Sequence, residues 1–134
     1  MSTYSGNGLH IASLLAPADA ETWQYHFTTL STTEGDFALS TGASGPAPVG
    51  VLQDNPKNNL PGSIRTHGTT LVYADGSGTA INVRDFLTSG SDGQAVITTA
   101  SGAMGYALQP VASGASILIE MVLTPVTVLA DNTP

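Results

Sequence analysis

Apolar and polar side chains alternate along this chain, and no segment sustains a helical repeat. Trp23, Tyr25, Phe27 and Thr29 occupy every second position, with Gln24, His26 and Thr28 between them. A period of two puts the first set on one face of a half-buried strand. Glu34-Gly35-Asp36 then reads as a turn ahead of a short strand at Phe37 to Leu39. Thr41 to Pro48 is a loop, because Gly and Pro both break ladders. Val49 to Leu52 predicts a short apolar strand, closed by a dense run of turn formers from Asp54 to Gly62. Ser63 to Tyr73 predicts a long strand whose phase slips near Gly68, where a bulge is expected.

The second half repeats the rhythm. Ala74 to Gly78 is a turn, and Ile81 to Val83 leads into Arg84 to Thr88. Ser91-Asp92-Gly93 is a hairpin turn in which Gly93 takes a positive φ, and Gln94 to Thr99 is the return strand. Ala103 to Leu108 and Ile117 to Leu123 are further strands around a turn at Ala112 to Ser116. In the last strand Ile117, Ile119, Met121 and Leu123 share one face, and Leu118, Glu120 and Val122 the other. Pro125 ends the ladder, with Val126 to Val128 as a short edge or tail. About seven or eight short strands at this spacing predict an all-β barrel or sandwich. A single helical turn fits at Ala18 to Glu21, capped by Asp19, or near Arg84 to Phe86. Residues 1–20 read as an extended arm studded with apolar side chains, 21–124 as the β domain and 125–134 as a C-terminal tail.

A length of 134 residues suits one domain. Three basic residues, Lys57, Arg65 and Arg84, stand against ten acidic ones for a net charge of -7. Neutralising a phosphate backbone takes clustered Lys and Arg, so the balance argues against nucleic acid, and equally against an anionic membrane surface. Only 10% of residues are charged, against about a quarter in ordinary domains. Such a surface has little electrostatic defence against association, which suits a protein packed against neighbours. The N-terminus lacks the positive region of a secretory signal, and Glu120 and Pro125 interrupt the apolar run from Ala115 to Ala130. A soluble product made in a cytosol is expected. There is no cysteine, hence no disulfide and no thiolate metal site.

Candidates for chemistry are few. His10, His26 and His67 show no metal-ligand spacing, and no cofactor motif occurs. Asp75, Asp85 and Asp92 are near enough in sequence to act as paired carboxylates in glycoside hydrolysis. Each sits beside Gly or at a strand end, where Asp ordinarily satisfies turn backbone. Trp23 and Tyr25 would suit a sugar-stacking platform, but at this alternation a core or subunit-contact face is favoured. The arm residues Tyr4, Leu9, Ile11, Leu14 and Leu15 are candidates for intermolecular contact, by adding a strand to another chain's sheet edge. No enzyme emerges.

The order of motifs from Pro48 to Leu123 resembles the capsid cement, or head decoration, proteins of tailed bacteriophages. The resemblance rests on Pro48-Val-Gly-Val-Leu-Gln53, Arg65-Thr-His-Gly68 running to Leu71-Val72, and Ile81-Asn-Val-Arg-Asp-Phe-Leu-Thr88. It continues through Ser91-Asp-Gly-Gln-Ala-Val96, Met104-Gly-Tyr-Ala-Leu108 and Ile117-Leu-Ile-Glu-Met-Val-Leu123. It implies a small antiparallel β-barrel or β-tulip that binds the outside of a phage head, often as a homotrimer. The implied partner is the major capsid protein, whose subunit contacts it stabilises, and no catalytic residues carry over. The alternatives are a glycan-binding β-sandwich module of a tail fibre or adhesin, using Trp23 and Tyr25, and a glycoside-processing enzyme using Asp75 and Asp85.

Overall fold

A computed structural model describes residues 8–124. Nine strands follow in chain order: β1 (Gly8–Ile11), β2 (Phe27–Leu30), β3 (Phe37–Leu39), β4 (Gly50–Leu52), β5 (Ile64–Asp75), β6 (Phe86–Ser89), β7 (Ala95–Ile97), β8 (Gly105–Ala107) and β9 (Ser116–Leu123). Short 3-10 turns interrupt them at Ala20–Thr22, Gly42–Ser44 and Ala100–Gly102. The first overlaps the helical turn expected at Ala18 to Glu21, with Asp19 in the cap position but making no side-chain capping bond. The expected strand or tail at Val126 to Val128 lies outside the described residues, as do residues 1–7.

The twelve-residue β5 organises the molecule. Its C-terminal part pairs antiparallel with β9, from Gly68 against Leu123 to Asp75 against Ser116. Its other flank meets β7 at Ala74 against Ala95, in parallel. Since β7 pairs with β6, β6 with β8 and β8 with β9, the ring β5-β7-β6-β8-β9 closes on itself. Closure through one parallel contact departs from a wholly antiparallel barrel. The β6–β7 hairpin reverses the chain, so β7 returns alongside β5 in the same direction.

The N-terminal part of β5 belongs to an open sheet. It pairs with β4 through Ile64 and Arg65 and with β1 through Ile64 to Gly68. β4 continues to β2 and β2 to β3. The phase slip expected near Gly68 is present: Ile64 packs with Leu52 on one face of the open sheet, whereas Val72 and Ala74, of the same parity, pack with Val51 from its other face. The bulge lies at Thr66, the extra residue where the register with β1 steps from Leu9 against His67 to His10 against Arg65. Gly68, at φ 100°, marks where β5 passes from the open sheet into the barrel.

Two apolar clusters follow from this arrangement. The first fills the barrel with Val72, Ala74, Leu87, Ala95, Ala107, Ile119, Met121 and Leu123, and it also takes Phe27 and Val51 from the open sheet. The second lies on the other face of the open sheet, on Phe37, Leu52 and Ile64, beneath Ala16 and Ala20. Adjacent residues Val51 and Leu52 enter different clusters, as strand alternation requires. Each large side chain buried this way contributes roughly 1.5–3 kcal/mol.

The segment after β1 therefore forms the cover of the second cluster. Ile11 and Leu14 pack against it. Leu15 is threaded beside β3, its N–H donating to the Gly35 carbonyl (2.8 Å) and its carbonyl accepting from the Phe37 N–H (3.1 Å). The alternating run from Trp23 is not a strand before Phe27. The Trp23 N–H donates to the Ala20 carbonyl, the His26 N–H to the Trp23 carbonyl, and Tyr25 sits at φ 63°. Packing of the indole on the second cluster coils the chain there, and that tertiary contact overrides the local pattern.

Candidate functional site

The three carboxylates considered for catalysis are held in turns. Asp75 Oδ1 accepts from the Ser77 N–H (2.9 Å), Asp85 Oδ2 from the Asn82 N–H (2.8 Å) and Asp92 Oδ1 from the Gln94 N–H (3.1 Å). The Ser77 backbone N–H, and then its side chain, hold the Asp75 carboxyl below the usual carboxylate range. His67 is exposed beside the Thr66 hydroxyl. His10 faces Arg65, whose guanidinium lies 3.3 Å from His10 Nε2, while Arg65 also donates to the Thr69 carbonyl. Burial first, and the Arg65 charge second, hold the His10 pKa below its ordinary value. Among the described residues no three His, Asp or Glu side chains gather as a metal site. A groove of about 690 Å³ runs between the Gly42–Ser44 turn and the β6–β7 hairpin, lined by Thr41, Ser44, Thr88, Ser91 and Thr98 among small residues. It presents hydroxyls and no charged side chain, so it holds no acid–base pair for chemistry.

The residues expected at an interface are not brought together. Tyr4 lies outside the described residues, as does the side chain of Leu9. Ile11, Leu14 and Trp23 pack on the second cluster, the indole meeting Phe37 edge-on at 6.4 Å between centroids. Leu15 stays 36% exposed. Tyr25 sits at the junction of the two halves, its N–H donating to the Leu52 carbonyl (2.7 Å) and its carbonyl accepting from the Tyr73 N–H (2.9 Å). Trp23 and Tyr25 thus share no strand face, neither as the favoured core or subunit-contact face nor as the alternative sugar-stacking platform.

A different surface stands out on the barrel. Outward-facing residues of β5, β9, β8 and β6 align in rows across the strands. Tyr73 lies opposite Leu118, and Leu71 opposite Glu120. Thr69 lies opposite Val122, Val122 opposite Tyr106 and Tyr106 opposite Phe86. Leu108 joins the middle row, its N–H donating to the Glu120 carbonyl (2.9 Å). Tyr73, Phe86, Leu108 and Leu118 are each 37–38% exposed, and Leu71, Tyr106 and Val122 are half-buried. Glu120 is the one charged residue in these rows. His26 borders the wall, its ring 5.3 Å from that of Tyr73. In the sequence, Leu118, Glu120 and Val122 were legible as the second face of a strand. Their alignment with Tyr73, Tyr106 and Phe86 depends on strand register, which no local pattern carries.

A family model described as phage cement protein matches residues 18–123, the barrel together with most of the open sheet. This chain belongs to the phage cement protein family. It is a phage head decoration protein, located on the exterior of the capsid, in agreement with the resemblance carried by its motifs. A search of curated proteins finds no match to this cement protein. Among solved structures it is similar to the N base of the head fiber gp8.5 of bacteriophage phi29, at 23% identity and a TM-score of 0.61. The alignment covers 87% of this chain and 96% of that one, so the two share a fold across nearly their whole length.

Proposed function

We propose that this cement protein binds the major capsid protein as a homotrimer and holds neighbouring shell subunits together, without catalysing a reaction. The observation that carries the reading is membership of the cement family across both halves of the fold. Physical features support it. A closed barrel is stiff and offers no strand edge of its own to strangers. The net charge of -7 favours a place outside the shell over one against packaged DNA. Asp75, Asp85 and Asp92 each accept from a turn N–H, which gives all three a structural use. In this reading Tyr4, Leu9 and Leu15 reach a neighbouring chain, while Ile11, Leu14 and Trp23 fasten the N-terminal segment to the open sheet and Tyr25 joins the sheet to the barrel. Three linked copies touching several shell subunits gain avidity from effective concentration, so each contact is free to be weak.

The test adds purified protein to heads that lack it. Binding is expected, together with a higher temperature of head disruption and a free-protein mass of three chains by light scattering. Heads that fail to bind it would overturn the capsid role, and a monomeric mass would overturn the trimer.

A further inference from the structure

We propose that the apolar wall of the barrel is the face that docks on the shell, and that it takes a capsid surface presenting a Lys or Arg opposite Glu120. This deepens the capsid-binding reading and rests on it. The wall spans four adjacent strands, and Glu120 lies near its middle. On β9 Glu120 has Leu118 and Val122 two residues to either side, facing the same way, and across the strands it adjoins Leu71 and Leu108. A carboxylate ringed by apolar side chains is tolerable in water. Once covered, it loses its hydration and needs a cation and hydrogen bonds from whatever covers it.

That requirement selects the occupant. A second copy pairing wall to wall about a two-fold axis would bring one Glu120 towards the other, a like-charge contact in a drying interface. A sister copy offers few bases: the whole chain has three, and with Arg65 engaged by His10 and the Thr69 carbonyl only Lys57 and Arg84 are left. Four side chains exposed by 37–38% and three half-buried ones make a patch smaller than the roughly 800 Å² each partner buries in a stable two-body complex. A contact of that size holds only when several act at once, as they do for a decoration protein that touches several shell subunits.

The experiment titrates full-length protein onto heads lacking it, with Phe86→Ser, Leu118→Ser, Glu120→Gln and Glu120→Lys compared with wild type and with Leu60→Ser, a 53% exposed residue outside the wall. All are surface changes, and unchanged thermal melting checks that each variant folds. Phe86→Ser, Leu118→Ser and Glu120→Lys should each weaken head binding about tenfold or more, with Leu60→Ser unaffected. Glu120→Gln should weaken it severalfold and flatten its dependence on salt, because the lost partner is a charge. Wall variants that bind within twofold of a binding wild type would overturn the wall assignment and leave the capsid role standing. So would a drop in the free protein's mass caused by those substitutions, since the wall would then join sister copies. A wild type that binds no head overturns the capsid reading and this inference with it.

Discussion

In the barrel each strand has a neighbour on both sides, whereas in the open sheet β1 and β3 end the array. The two halves share β5 yet protect their edges by different physics. The barrel does so by closure, with a core supplied mostly by its own strands. The open sheet relies on a cover, the segment from Ile11 to Trp23 laid over Phe37, Leu52 and Ile64. Closure couples all five strands, so the barrel opens as a unit or not at all. A cover held by a handful of side chains releases locally, and the open sheet is the half expected at the low-stability end of the molecule.

The contrast is broken most severely at Gly105. A Cβ there would stand 1.8 Å from the Val122 carbonyl oxygen, so Gly105→Val should part β8 from β9 and open the ring. A loss of about 3 kcal/mol or more is expected, read as collapse of the cooperative thermal transition. A melt close to wild type would show that ring closure does not hold the fold together.

Phe37→Ala should cost about 3 kcal/mol locally through the cavity it leaves under the cover. Hydrogen exchange should then accelerate in β2 to β4 and at Ile64 to Thr66, while Thr70 to Ala74 keep their protection. Uniform acceleration along β5 would mean that the two halves are a single cooperative unit.

The smallest effect concerns pH. Burial and Arg65 hold His10 below the ordinary histidine value, so the unfolded chain takes up the proton first as pH falls through about 6.5. Stability is therefore fully present above that value and declines below it. Protonation removes the Nε2 acceptor that faces Arg65 and sets two positive charges across the β1–β5 pairing. Protection at Ile64 to Gly68, taken relative to the intrinsic exchange rate at each pH, should fall between pH 7.5 and pH 5.5, and His10→Gln should remove most of that dependence. An identical pH profile in the variant would clear His10 of the effect.

How far the chain announces this arrangement differs between the halves. Gly93, at φ 80° in the β6–β7 turn, and the alternation of Ile119, Met121 and Leu123 were readable because hairpin chemistry and strand period are local. The strand expected at Trp23 was misread because its indole is claimed by Phe37, fourteen residues further on. The N-terminal segment was legible as apolar and extended, but its docking onto the open sheet depends on contacts with β3 and with the loop at Leu60, which neither periodicity nor composition displays. The same holds for the wall, whose members come from four strands and share only a register. The carboxylates were the easiest part, since Asp beside Gly or at a strand end has a standard local use.

The shared strand has a mechanical meaning as well. A pull along β5 from the open-sheet end would load its ladder with β9 lengthwise, across eight residue pairs from Gly68–Leu123 to Asp75–Ser116. Bonds strained side by side in shear give way together, while bonds peeled from one end fail in succession. A tether anchored through this strand resists a swelling container in its strongest direction.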